Sequence, residues 1–121
     1  MKFDTKQNGL FTLFKPYQAE LLEHLWDLNK KERTGYNSGE AYRFLLGSPE
    51  KKSRASVIFF LNDMVDDGIL DYEERTGKGG HHRVYYPKMD RDEFALFVTE
   101  KIIKKLKEVF PVVQKIEITS K

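Results

Sequence analysis

Lys51, Lys52, Arg54 and Ser56 stand within six consecutive positions, and Arg75, Lys78, His81, His82 and Arg83 gather further on around Gly77, Gly79 and Gly80. Ammonium, guanidinium and hydroxyl groups in such clusters suit one kind of chemistry: they neutralise phosphate oxygens and hydrogen-bond the edges of bases. Glycines between the second set allow a mobile basic finger that lies on a phosphate backbone or in a minor groove. The pattern is not that of a nucleotide-binding loop. G-x-x-x-x-G-K-[ST] is absent, and His82 stands where G-x-G-x-x-G requires glycine.

Catalysis has little to draw on. The absence of cysteine removes disulfides, thiolate metal sites and thiol nucleophiles together, and suits a reducing compartment. The histidines are His24, His81 and His82. Adjacent strand residues point to opposite faces, so His81 and His82 make a poor chelating pair. His24, between Glu23 and Leu25 on a helical stretch, reads as a surface or boundary residue. No spacing suggests a serine–histidine–acid set. The expectation is a protein that is not an enzyme and uses no metal or cofactor.

The bulk numbers agree with a small binding protein. The 121 residues, 40% of them hydrophobic, suffice for one modest core. Charged residues make up 33%, yet the net charge is only +2, so a polyanion partner would need the basic groups to be locally concentrated. Met1-Lys2-Phe3-Asp4 lacks the apolar run of a signal peptide, and no window approaches a membrane span. A soluble, cytoplasmic protein is expected.

The clusters must be held by regular elements. Residues 3–14 carry Leu10, Phe11, Leu13 and Phe14 and read as an arm that packs on the body. Pro16 opens a helix to Asn29 whose Leu21, Leu22, Leu25, Trp26 and Leu28 form one apolar stripe. After a polar connection through Gly35, a shorter helix starts behind Asn37 or Ser38, with Glu40 in its first turn, and closes at Gly47. Ser48-Pro49 breaks the chain. Ser53 caps a third helix from Arg54 to Asp67, with Val57, Phe60, Leu61, Met64 and Val65 on one face and Gly68 as its stop. Leu70 to Arg75 and Arg83 to Tyr86 read as a two-stranded hairpin with Thr76 to Gly80 at its tip. The second and third helices form a helix-turn-helix candidate, the third being the reader.

Two features pull against a simple reader. Ile58 and Phe59 lie off the third helix's apolar stripe, where they can meet thymine methyls or be covered by another element or a partner; burial of at least one is expected. Asp63, Asp66, Asp67, Asp71, Glu73 and Glu74 form an acidic flank without an intervening base. Duplex DNA is compatible with it only if that end points away from the groove, as docking through the helix's N-terminal half allows.

Asp90 to Phe110 reads as a long helix with Phe94, Phe97, Val98, Ile102, Leu106 and Val109 on a broad stripe, ended by Pro111. With the first three helices already packed together, this stripe is expected to dimerise. Residues 112–118 fit either a terminal strand or a further helical turn.

Three segments resemble the winged-helix repressors of the penicillinase-repressor (BlaI/MecI/CopY-type) family. They are Tyr17-Gln18-Ala19-Glu20 through Leu25-Trp26; Ser38 to Leu46; and Ser53-Arg54-Ala55-Ser56-Val57 through Leu61, with Gly68-Ile69-Leu70 and the Tyr85-Tyr86-Pro87 exit from the wing. The likeness spans residues 16–110, and MarR-like and PadR-like winged helices share much of the pattern. It implies a cytosolic homodimer that represses by binding a palindromic operator, joined through a C-terminal helix. The chain lacks the Asn-Phe cleavage site of the proteolytically controlled members and the cysteines of the copper-responsive ones, so no effector or inducing signal carries over.

The combined expectation is an α+β winged helix-turn-helix, with a three-helix core and a two-stranded β-wing over residues 1–88 and a dimerisation helix and tail over 89–121. Its function would be sequence-specific binding of double-stranded DNA as a homodimer. The DNA contacts would be Lys51, Lys52, Arg54, Ser56, Arg75, Lys78, His81, His82 and Arg83. The rival expectation is a winged-helix module that docks on proteins of the transcription machinery through Ile58, Phe59 and the acidic flank.

Overall fold

The computed structural model describes residues 1–50, 52–77 and 79–115. The chain divides into two compact units, Met1–Lys88 and Met89–Lys121. The described residues form α+β structure with four α-helices and a small antiparallel sheet of three strands.

In the first unit the arm folds back on itself. The Lys2 and Asp4 N–H groups donate to the carbonyls of Leu13 and Thr12 at 3.0 and 2.8 Å, around a 3₁₀ turn at Gly9–Thr12. That return buries Leu13 and Phe14 and leaves Phe11 exposed. Helix α1 (Pro16–Leu28) starts at its proline, and the Lys15 N–H donates to Gln18 Oε1 at 3.0 Å. Tyr17, Leu21, Leu22, Leu25 and Trp26 are buried along it. Asn29 then closes the connection on itself: its Nδ2 donates to the carbonyls of Leu25 and Thr34, and its Oδ1 accepts from the Thr34 N–H.

Strand β1 (Tyr36–Asn37) follows, which the sequence did not announce; the sheet therefore has three strands instead of the expected two. A two-residue strand carries no readable alternation, and its hydrogen bonds come from a distant strand, with Tyr36 opposite Tyr85 and Asn37 opposite Val84. Asn37 also caps α2 (Ser38–Leu45) in a reciprocal box: Glu40 N–H donates to Asn37 Oδ1 at 2.8 Å, and Asn37 N–H to Glu40 Oε1 at 3.0 Å.

Helix α3 (Arg54–Asp66) is capped by Ser53, whose Oγ accepts from the Ser56 N–H at 3.1 Å. It stops at Gly68, where φ is 80°; Ile69 N–H donates back to the Met64 carbonyl, closing a Schellman turn that an L side chain would strain. Val57, Phe60, Leu61 and Met64 are buried, and the Phe60 ring meets Phe14 and Tyr17 edge-on at 6.0 and 6.2 Å.

Strands β2 (Leu70–Gly77) and β3 (Gly80–Pro87) pair from Leu70↔Pro87 to Gly77↔Gly80. Pairing reaches further than expected, up to Gly77↔Gly80, where a tip from Thr76 to Gly80 was expected. Gly79 and Gly80 have φ of 99° and 100°, a region that favours glycine. The centre of β3 is buried at Val84, Tyr85 and Tyr86. Gly35 lies so close to this strand that a methyl group there would sit 2.6 Å from both Tyr86 Cε1 and Val84 Cγ1.

In the second unit, Asp90 and Glu93 form a capping box for α4 (Arg91–Val109). Pro111 opens a 3₁₀ turn, Pro111–Lys115, so of the two readings, a strand or a further helical turn, residues 112–115 take the helical one. The rest of that stretch lies outside the described residues. No helix among the described residues is long and apolar enough to cross a membrane.

Candidate nucleic-acid interface

The start of α3 faces the start of α2. A methyl group on Gly39 would lie 3.6 Å from Arg43 Nη1 and 3.7 Å from Arg54 Nη2, so the two guanidinium groups flank one point. The Arg54 guanidinium carbon also stands 5.3 Å from the centre of the Tyr42 ring. Both arginines are exposed, and among the described residues no carboxylate lies within ion-pairing distance of either. Two like charges turned to one spot without a counter-ion repel each other mildly in water. A phosphate oxygen placed between them reverses that interaction.

The other residues expected at this helix start are differently placed. Lys52 is drawn back: its ammonium contacts Glu50 at 2.8 Å and lies 5.4 Å from the Tyr17 ring centre. The hydrogen bond to Glu50 raises the Lys52 pKa. The Ser56 hydroxyl is within 3.0 Å of the Ser53 hydroxyl, so it belongs to the cap while remaining partly exposed. Lys51 and Lys78 lie outside the described residues.

The hairpin cations separate onto two faces. The register puts Glu74 opposite Arg83 and His82 opposite Arg75. Side chains alternate, so Tyr72, His81, Arg83 and Tyr85 share one face while Glu73, Arg75, His82 and Tyr86 share the other. On the first face Arg83 Nη1 donates to Asn62 Oδ1 of α3 at 3.2 Å, and its guanidinium lies 4.0 Å from the Tyr72 ring centre. Tyr85 donates to the same Asn62 oxygen at 2.7 Å. On the second face Arg75 Nη2 donates to the Tyr86 hydroxyl at 2.6 Å and to Glu73 Oε1 at 3.3 Å, while Arg33 lies 3.5 Å from the Tyr86 ring centre. Hydrogen bonding from Tyr86 and then Arg75 holds the Glu73 carboxyl below the usual carboxylate range. Arg83 is thus gathered with α3, and Arg75 is engaged on the opposite face. His81 and His82 are both exposed near the tip.

The outward face of α3 carries Ala55, Ile58, Phe59 and Asn62. Ile58 is 39% exposed and Phe59 68% exposed, so the expectation that at least one is buried fails within the chain: the helix turns its other side to the core. The acids leave by a third direction. Asp63, Asp66 and Asp67 line an open cavity of about 400 Å³ together with Met1, Phe14 and Gln18, on the side of the arm. Asp63, Asp66 and Asp67 therefore do not share the Asn62–Arg83 side, whereas Glu74, opposite Arg83, lies on the same face of the hairpin.

His24 is half-buried and stacks on Phe44 with ring centres 3.8 Å apart and planes at 4°, while its Nε2 lies 2.8 Å from the Tyr36 hydroxyl. Burial pulls its pKa below the usual imidazole value, opposed by Asp27. No group of three or more His, Cys, Asp or Glu side chains among the described residues is placed to hold a metal ion.

In α4, Phe94 and Val98 are buried, Phe97 and Ile102 half-buried, and Leu106 and Val109 exposed. Leu96 and Phe110 are exposed as well.

Sequence reasoning passed over Arg43, Tyr42 and Asn62. Arg43 sits one helical turn after the Gly39–Glu40 start of α2, a spacing that brings it back over that end. Asn62 is the one uncharged polar side chain following Ile58 and Phe59 at i+4 and i+3. No protein-family model matches the chain, and no curated protein is significantly similar to it.

Proposed function

We propose that the protein is a winged helix-turn-helix transcriptional regulator that binds double-stranded DNA in the cytoplasm, acting as a homodimeric repressor on a palindromic operator. The observation that carries this reading is the convergence of Arg43 and Arg54, without a carboxylate partner among the described residues, where α2 and α3 begin. In a helix-turn-helix these two ends meet the phosphate backbone and the major groove. Arg54 anchors or reads at the groove edge and Arg43 clamps the neighbouring phosphate. The β2–β3 hairpin serves as the wing, with Arg83 and His81 on the α3 side. Binding neither makes nor breaks a covalent bond. Repression is steric, through two linked half-sites occupied on one face of the duplex, with α4 joining the protomers.

An anisotropy titration against genomic fragments at low and at physiological salt tests the proposal. Neutralising several phosphates makes affinity fall steeply as salt rises. Absence of binding at low salt, or binding indifferent to salt, refutes it.

One observation favours the second reading, a winged-helix module that docks on a protein: Ile58 and Phe59 are both exposed. Changing Arg43 and Arg54 together to Ala separates the two readings. DNA binding collapses under the first, and partner binding survives under the second.

A further inference from the structure

The side chains on the outward face of α3 complement one base more closely than the others. Asn62 Oδ1 accepts from two donors, Arg83 Nη1 and the Tyr85 hydroxyl. A guanidinium can only donate, so the atom facing it must be the oxygen, and the amide orientation is fixed. Among the described residues nothing accepts a hydrogen bond from Asn62 Nδ2. Asn62 therefore presents donors alone. The paired donor and acceptor with which asparagine grips adenine N7 and N6 is denied to it, because its acceptor is occupied.

Next to that donor, one turn back along the helix, stand Ile58 and Phe59 with exposed apolar surface. An apolar patch beside a hydrogen-bond donor matches the major-groove edge of thymine, which carries a 5-methyl group next to the O4 acceptor. Cytosine offers a donor at that position and adenine has no methyl. Charge on either side favours a polyanion as the occupant: Arg54 and Arg43 lie at one end of the face and Arg83 beside Asn62. Asp63, Asp66 and Asp67 turn instead to the cavity on the side of the arm.

We infer that this face is a thymine reader: Phe59 and Ile58 pack on the 5-methyl group while Asn62 Nδ2 donates to O4. The inference rests on the DNA-binding reading and adds the base it selects. Arg83 and Tyr85 are positioning residues, since they act by occupying Asn62 Oδ1.

The test starts from a duplex selected by the protein from a random-sequence library, remade with single substitutions at its thymines. Deoxyuridine removes the methyl and keeps O4; a 5-methylcytosine–guanine pair keeps the methyl and replaces the acceptor by a donor. At one or more positions both changes weaken binding, the uracil change by roughly fourfold per contacted methyl, the value of a buried group of that size. Phe59→Ala abolishes the difference between thymine and uracil and retains the loss with 5-methylcytosine. Equal affinity for thymine and uracil at every position overturns the inference while leaving DNA binding intact. So does a Phe59→Ala protein that keeps the thymine preference but loses a protein complex. Failure to select any duplex removes the DNA-binding reading itself and the inference with it.

Discussion

Tyr85 of β3 donates its hydroxyl proton to Asn62 Oδ1 of α3 across 2.7 Å, tying the hairpin to the middle of the helix it accompanies. Tyr85 is buried, and burial pushes its phenol pKa up, so the group is a neutral donor that must find an acceptor. Asn62→Ala removes that acceptor and should cost about 1–3 kcal/mol of stability, the penalty for an orphaned buried polar group. Tyr85→Phe, which leaves Asn62 with Arg83, should cost less. Urea unfolding of the two variants checks the order; an Asn62→Ala protein as stable as the parent would mean the tie contributes nothing.

The arginine pair makes a prediction about salt. Arg43→Ala and Arg54→Ala alter exposed side chains, so unfolding midpoints should hardly move. Each change should lower DNA affinity and reduce the slope of log affinity against log salt by about one, as expected when one phosphate is no longer neutralised. A lower affinity with an unchanged slope at either position would exclude a phosphate contact there.

Gly35 tests how tightly the loop before β1 is laid on the sheet. Its φ is not in the left-handed region, so the constraint is proximity: a Cβ would collide with Tyr86 and Val84 at 2.6 Å. Both neighbours are buried and belong to the central strand, so neither yields freely. Gly35→Ala should therefore destabilise by about 1–3 kcal/mol through overpacking. Thermal unfolding gives the answer, and an unshifted midpoint would show that the loop lifts away at no cost.

These positions mark the limit of what the sequence discloses. The bounds of α3 are legible because its stop and start are chemical: Ser53 caps one end and Gly68 ends the other. The buried face of α1 is legible because Leu21, Leu22 and Leu25 repeat at helical spacing. Strand β1 is not, since two residues cannot show alternation and their partners on β3 are far along the chain. Nor is the division of the hairpin cations. Arg75 and Arg83 look equivalent in a basic tip, yet the Gly77↔Gly80 register sets Arg83 against Glu74 and so sends the two arginines to opposite faces. A turn one residue longer would put them together. The arginine pair depends on how α2 packs against α3, which no local pattern encodes.

His24 makes stability depend on pH in a defined direction. Desolvation lowers its folded-state pKa, with Asp27 opposing, so the fold prefers the neutral ring. The unfolded chain takes up a proton near pH 6.5. Between that value and the lower folded pKa the unfolded state holds more protons, so stability falls as pH drops through this window and levels off below it. Stability is fully present above the unfolded pKa. His24→Gln should flatten this part of the profile, measured by denaturant unfolding at successive pH values. A slope that survives the change would have to come from other groups.

The proposed homodimer makes its sharpest demand on α4. Phe94 and Val98 are buried, whereas Leu106 and Val109 stay exposed. Leu106 and Val109 follow each other at i+3, so one protomer can offer both to its neighbour. If α4 joins the protomers, Leu106→Glu with Val109→Glu should convert a dimer to a monomer in light scattering without shifting the monomer's unfolding midpoint. Two linked half-sites bind through effective concentration, so the monomer should also lose affinity for a palindromic duplex far more than for a single half-site. A double variant that stays dimeric would place the interface elsewhere on the chain, and a parent that is monomeric at micromolar concentration would remove the dimer from the proposed mechanism.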